Sequence, residues 1–245
     1  MSTTTTTDAC TSTTPTHRIG FIGDAGVGKT TVATLVAARL GERTDVSVTG
    51  DAAGFVTASG SAADSGDNAL GIGWTVDDCP PGVAAIDARA DRLDTVFVVA
   101  TPETLDSVGR YADRARHHDV DCFVVVNRFR ESARDDLRAF EGPPLAEYLY
   151  DDTDVSTAMA DGQVPLLSDW TLEAILIEAL QSDRQPAEQA LGALNRGTRS
   201  IVNVEVDDRD DAASLLDEFE AAGFPAAYFG CNCRCHDGHV LAHQL

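Results

Sequence analysis

Lysine is almost absent from this sequence of 245 residues: Lys29 is the only lysine among 18 basic residues. Asp and Glu number 40, so the formal net charge is −22 at pH 7. A charge of this sign repels nucleic acid and anionic lipid. The composition therefore argues against direct nucleic-acid binding, and it is typical of a halophilic protein, whose surface charges are screened by a salt-rich cytoplasm.

Long apolar runs are also missing, since none approaches the roughly 20 residues that a membrane-spanning helix needs. The Thr-rich residues 1–17 have neither the basic start nor the apolar centre of a signal peptide. We therefore expect a cytoplasmic protein with no membrane span and with a disordered tail at 1–17. In that compartment the six cysteines are expected to be reduced thiols or metal ligands.

From residue 18 onward, short apolar runs alternate with helical patterns. The strand-like runs are Arg18–Ile22, Val46–Val48, Ile72–Val76, Thr95–Ala100 and Phe123–Val126. The helical patterns are Thr31–Leu40, Leu105–His117, Glu131–Phe140, Val155–Ala160 and Leu172–Leu180, whereas Gly54–Asn68 is typical of a loop. This alternation predicts an α/β fold with a mainly parallel sheet and right-handed crossovers.

A glycine-rich turn at 23–30 joins the first strand-like run to the first helical pattern. Its sequence, GDAGVGKT, satisfies the GxxxxGK[ST] pattern of a phosphate-binding P-loop. In such loops the backbone N–H groups and the N-terminal end of the helix bind phosphate oxygens. Lys29 is expected to reach the β- and γ-phosphates, and Thr30 to ligate Mg²⁺. The sequence thus predicts a site for ATP with Mg²⁺ that comprises Gly23, Asp24, Ala25, Gly26, Val27, Gly28, Lys29, Thr30 and Thr31.

A second candidate follows the strand-like run that ends at Val76. Asp78 comes just before the turn Pro80-Pro81-Gly82, at the carboxyl end of that strand. A carboxylate at this place is expected to contact Mg²⁺ or to sense the γ-phosphate. The alternative is an acidic turn that binds no ligand.

With these features the chain resembles the MinD/ParA-type deviant Walker A ATPases, a family that includes the nickel-insertion ATPases and the nitrogenase iron protein. The segments that carry the resemblance are Gly23–Thr31 (the family's GKGGVGKTT), Asp78–Gly82 (D-x-P-A-G), Ala100–Glu103 with Ser107 (TPE…S), Val125–Arg128 (N-[KR]) and Asp152–Pro165. The resemblance implies the three-layer sandwich of P-loop NTPases, an adenine contact by Asn127, and action through a protein partner. It leaves homodimer formation open.

Three departures from the family pattern affect the expected activity. Asp24 stands where the family has a lysine that reaches the partner's nucleotide across a dimer. Asp51 is followed by Ala53 where the family has a second acidic residue, and the segment between Asp51 and Asp78 is short. We therefore expect the nucleotide to bind, with Lys29, Asp78 and Asp51 as catalytic residues, Asp51 positioning the attacking water, but we expect hydrolysis to be slow.

The region after the ATP site is expected to form a small unit. Ser200–Val206 reads as a strand, Asp210–Ala222 as an amphipathic helix and the run from Ala226 as another strand, which predicts a β-α-β appendage. The predicted organisation is a P-loop nucleotide-binding domain at 18–182, a connector at 183–199 and a C-terminal unit at 200–245.

This C-terminal unit contains a dense group of metal-binding residue types, Cys231, Cys233, Cys235, His236 and His239. Such residues favour Zn²⁺ or another thiophilic metal. If Asp237-Gly238 is a two-residue hairpin turn, however, His236 pairs with His239 and the cysteines face the other way. Core-facing thiols on an alternating strand are the alternative.

Three functions are consistent with these patterns. The leading hypothesis is an ATP-binding, slowly hydrolysing MinD/ParA-like switch that acts through a protein partner. The first alternative is a metallochaperone or metallocentre-assembly ATPase that uses the Cys/His group. The second is a nucleotide-sensing binding module without enzymatic activity, which Asp24 and Ala53 favour.

Overall fold

A computed structural model describes residues 16–41, 46–58, 73–164, 175, 178–180, 183–199, 201–230 and 238–243. Six strands form one sheet: β1 (Thr16–Ile22), β2 (Val46–Thr49), β3 (Gly73–Asp78), β4 (Thr95–Ala100), β5 (Asp121–Phe129) and β6 (Leu145–Tyr150). The strand order is β2-β3-β1-β4-β5-β6, and every neighbouring pair is parallel. All six carboxyl ends therefore lie at one edge of the sheet, where ligands of such folds bind.

Helices cover both faces of this sheet. They are α1 (Lys29–Gly41), α2 (Ala52–Ala58), α3 (Ala84–Asp87), α4 (Val108–His117), α5 (Arg134–Arg138) and α6 (Thr153–Ala160), with short 3₁₀ turns at Ala90–Arg92, Pro102–Ser107 and Glu131–Ala133. Val32 and Val36 of α1 belong to the same buried core as Phe97 of β4 on one face. Val108 and Tyr111 of α4 pack in the core on the other face. The predicted three-layer α/β arrangement is confirmed.

The C-terminal unit has a second, smaller sheet. The elements of this unit are α7 (Ala187–Asn195), β7 (Ile201–Val206), α8 (Arg209–Ala221), β8 (Ala226–Gly230) and β9 (Gly238–His243), and the three strands form its sheet. The strand order β7-β9-β8 is antiparallel throughout. Phe219 of α8 is fully buried in the core of this unit. The predicted strand, helix and strand are present, and β9 adds a third strand between the other two.

Several elements differ from the sequence-based expectation. The segment Leu145–Tyr150, which carried no prediction, forms the edge strand β6, whose residues are only partly buried or exposed. The predicted loop from Gly54 overlaps α2, which continues to Ala58. The predicted helix Leu105–His117 begins as a 3₁₀ turn and becomes α-helical at Val108. Most of Leu172–Leu180 lies outside the described residues.

None of the helices among the described residues is both long enough and apolar enough to cross a membrane.

Candidate functional site

The loop at 23–30 leaves β1 at the carboxyl edge of the sheet and enters α1. Its three glycines have positive φ angles, 146° at Gly23, 78° at Gly26 and 91° at Gly28. A Cβ atom on Gly23 would lie 2.3 Å from the carbonyl oxygen of Val99, and one on Gly28 would lie 2.2 Å from Nδ2 of Asn127. At these two places both the backbone conformation and the close approach of neighbours require glycine.

Lys29 is the first residue of α1, and its side chain bends back over the loop. Its Nζ donates a hydrogen bond of 2.8 Å to the carbonyl oxygen of Asp24. The residue is buried, and burial lowers the pKa of its ammonium, with the charges of Asp78 and Asp24 acting in the opposite direction. The only lysine of the chain thus places a partly desolvated cation on the loop.

Thr30 and Asp78 meet beside this cation. The Thr30 hydroxyl donates a hydrogen bond of 2.8 Å to Oδ2 of Asp78, which also accepts one of 3.2 Å from the backbone N–H of Ala52. Burial raises the pKa of Asp78, and the charge of Asp51 adds to this effect, whereas both hydrogen bonds lower it. A hydroxyl and a carboxylate this close together are oxygen donors of the kind that Mg²⁺ prefers.

Asp51 lies in the turn between β2 and α2, and it is exposed. This turn packs directly on Asp78: Gly50 has a φ of 76°, and a Cβ atom there would lie 2.2 Å from the carbonyl oxygen of Asp78. The structure therefore brings Asp51 to the neighbourhood of Asp78, on the solvent side of the site.

The turn after β3 is hydrogen-bonded to the P-loop. The N–H of Gly82 donates to the carbonyl oxygen of Gly23 at 3.2 Å, and the N–H of Cys79 donates to that of Phe21 at 3.0 Å. Cys79 is buried, and burial raises the pKa of its thiol to about 12. A protonated, enclosed thiol of this kind fits a packing role better than a redox role.

Asn127 lies near the end of β5, and its side chain contacts the loop at 23–30. Its Nδ2 donates a hydrogen bond of 2.9 Å to the carbonyl oxygen of Val27, and the residue is buried. The residue expected to contact a base therefore also braces the P-loop backbone.

Asp24 is held by helix α4. Its Oδ1 accepts a hydrogen bond of 2.7 Å from the hydroxyl of Tyr111 and is also contacted by Nη2 of Arg110. The Tyr111 hydrogen bond is the largest cause that lowers the pKa of Asp24, and burial, aided by Asp24, raises the pKa of Tyr111 to about 12. Sequence analysis missed Arg110, because 86 positions separate it from Asp24 and no motif includes it.

The candidate metal site in the C-terminal unit falls largely outside the described residues, which do not include Cys231, Cys233, Cys235 and His236. His239 pairs with Phe229 in the sheet. The predicted two-residue turn at Asp237-Gly238, which would pair His239 with His236, is therefore wrong. The buried Nδ1 of His239 is 2.7 Å from Oδ1 of Asn203. Within the ranges that the structure describes, no group of three or more His, Cys, Asp or Glu side chains is placed to hold a metal ion.

Comparison with known proteins gives likenesses of structure only. No protein-family model and no curated protein sequence matches this chain. Among solved structures, a putative plasmid partition protein from Borrelia burgdorferi bound to AMPPNP is similar with a TM-score of 0.49 and 13% identity, over 68% of this chain and 99% of that one. An ATP complex of a McdA variant from Cyanothece is similar with a TM-score of 0.47 and 14% identity, over 68% and 96% of the two chains.

Proposed function

We propose that this chain is an ATP-binding, slowly hydrolysing switch of the MinD/ParA-like class that acts through a protein partner. The observation that carries the proposal is the convergence of Lys29, Thr30 and Asp78 on one glycine-rich loop at the carboxyl edge of a parallel sheet. This arrangement suits a polyphosphate, because the loop combines N–H donors, a helix N-terminal end and one ammonium.

The loop residues explain how phosphate would bind. The Lys29 ammonium now donates to a backbone carbonyl, and phosphate oxygens would replace this weak acceptor with a charged one. Burial disfavours the charged ammonium in the absence of a ligand, so a nearby anion would recover part of that cost. The triphosphate would therefore gain its affinity chiefly from Lys29 and the loop N–H groups.

Thr30 and Asp78 fit Mg²⁺, since their side-chain oxygens are 2.8 Å apart beside the loop. When bound, the ion would neutralise phosphate charge next to these two side chains. Asp78 also accepts a hydrogen bond from the N–H of Ala52, so a movement of its carboxylate would change a contact at the start of α2.

Slow hydrolysis is proposed from the surroundings of Asp51. It is exposed to solvent, and the next acidic position of the resembled family is occupied by Ala53, which has no polar side chain. A single exposed carboxylate holds a water molecule less firmly than a pair of enclosed ones.

The turn at 80–82 offers a route from nucleotide to partner. Gly82 is hydrogen-bonded to Gly23 of the P-loop, while Pro80 and Pro81 are exposed. A change in the loop on triphosphate binding would therefore reach a surface that a protein partner can contact.

Calorimetric titration of the full chain with Mg·ATP, together with a phosphate-release assay, tests the proposal. Lys29→Ala should abolish measurable ATP binding, whereas Arg92→Ala, which removes an exposed cation that pairs with Asp91 away from the loop, should leave it unchanged. Tight binding without phosphate release would favour the non-enzymatic nucleotide sensor. An absence of binding by the unmodified chain would refute the proposal.

A further inference from the structure

Arg110 extends from the first turn of α4 to the mouth of the P-loop. Its Nη2 contacts Oδ1 of Asp24, yet its side chain is 57% exposed. The guanidinium also lies over the Tyr111 ring, 5.2 Å from its centre. A guanidinium carries five N–H donors in a planar fork, and neither the ring nor one carboxylate oxygen uses most of them. The structure thus places a second, incompletely used cation beside the loop.

Asp24 connects this cation to the first one. Its backbone carbonyl accepts the hydrogen bond from Lys29, and its carboxylate contacts Arg110. A phosphate group that replaces the Asp24 carbonyl as the acceptor of Lys29 would lie next to Asp24, the residue that Arg110 contacts. It would also lie beside the Asp24 carboxylate, which repels it.

The Asp24 carboxylate does not depend on Arg110 alone. Tyr111 donates to the same oxygen at 2.7 Å, and the Asp24 side chain is 28% exposed, so water also reaches the carboxylate. Loss of one partner is costly when it leaves a charge buried and unpaired. Because the Tyr111 hydroxyl and solvent would remain for the Asp24 carboxylate, Arg110 can leave at low cost.

We propose that Arg110 is a phosphate-binding residue, held beside the P-loop by Asp24 and transferred to the γ-phosphate when ATP binds. This inference rests on the nucleotide binding proposed above. A guanidinium binds phosphate in a bidentate manner, which is stronger than its contact with one carboxylate oxygen. Because ADP lacks the γ-phosphate, Arg110 would distinguish ATP from ADP and would carry that difference into α4.

The test compares the affinities for Mg·ATP and Mg·ADP of two variants by calorimetry. Arg110→Gln should weaken ATP binding by about 10-fold or more, the range expected for loss of a charged hydrogen bond, and should change ADP binding little. Asp24→Asn should strengthen ATP binding, since it removes both the repulsion and the competitor for Arg110. The two variants should thus act in opposite directions.

Arg114→Gln is the matched control. Arg114 lies one turn further along α4 and makes an ion pair with Asp87, with a side chain that is 40% exposed. Its replacement should alter neither affinity. Arg110→Lys, which keeps the charge without the fork, should recover part of the loss of Arg110→Gln.

Equal losses of ATP and ADP affinity in Arg110→Gln and Asp24→Asn, accompanied by lower unfolding temperatures, would overturn the inference and show that the pair only braces the loop. If the unmodified chain binds neither nucleotide, the proposed function itself fails, and this outcome is visible before any variant is made.

Discussion

The hydroxyl of Thr30 and the carboxylate of Asp78 are joined by a hydrogen bond of 2.8 Å, although 48 positions separate them in the chain. The bond connects the first turn of α1 to the end of β3, because β1 and β3 are parallel neighbours. It brings together the two side chains that are proposed to hold a magnesium ion next to the P-loop.

Asp78→Asn should therefore lose activity without losing stability. Asparagine keeps the shape and the acceptor for Thr30, and the raised pKa of Asp78 means that burial disfavours its charge. We expect ATP turnover to fall by about 100-fold or more, as for other electrostatic catalytic groups, while the unfolding temperature stays level or rises.

Asp77→Asn is the control for this variant. Asp77 is adjacent in sequence but contacts Thr49 and Arg89 instead of the loop. Its replacement should cost about 1 kcal/mol of stability at most and should leave turnover intact. If both variants reduced turnover equally, Asp78 would have no special role.

Lys29 offers a direct measurement of the site, because a chain with one lysine gives one lysine side-chain resonance. Selective ¹³C labelling of lysine and a pH titration should show a pKa below its ordinary value of 10.5, as burial lowers it. Addition of Mg·ATP should raise this pKa, since phosphate charge favours the ammonium. A pKa at or above 10.5 without nucleotide would contradict the enclosed position of Lys29.

The parts of this site that could be predicted from sequence are those encoded by local pattern. The P-loop is continuous in sequence, and the short apolar run before it is typical of a buried strand. Arg110 could not be found in this way, since its role depends on the packing of α4 against a loop 86 positions earlier. The strand β6 was missed because it is a half-exposed edge strand, for which apolar periodicity is weak.

Replacement of Asn127 tests whether its side chain contacts the adenine base or supports the loop at 23–30. Its Nδ2 is hydrogen-bonded to Val27, so removal of the side chain should disturb the loop itself. We expect Asn127→Ala to weaken binding of inorganic tripolyphosphate as well as of ATP. A loss confined to ATP, with tripolyphosphate affinity unchanged in the same calorimetric assay, would assign Asn127 to the base alone.

The carboxyl group of Asp183 lies between His17 of β1 in the main sheet and Arg199, which precedes β7 of the C-terminal unit. Asp183 is mostly buried, and burial raises its pKa from 3.8 to about 6, against the attraction of Arg199 at 3.7 Å. The charges of Asp94 and Asp121 act in the same direction as burial. A raised pKa means that the protonated form stabilises the fold below about pH 4 and that this contribution is lost as the pH rises through about 6.

Asp183→Asn should therefore be more stable than the unmodified chain above pH 6. The expected gain in the free energy of unfolding is about 2 to 3 kcal/mol for a pKa raised by roughly two, and the gain should disappear towards pH 4. Urea unfolding at several pH values between 4 and 8 measures this difference directly. His17 lies close by, with its Nδ1 4.0 Å from Oδ2 of Asp183, and burial lowers its pKa. The double comparison with His17→Gln in both chains separates its contribution from that of Asp183. Asp91→Asn, at a side chain that is 82% exposed, is the control and should change the free energy of unfolding little. An advantage of Asp183→Asn that is equal at all pH values would mean that the carboxyl titrates normally in the folded chain.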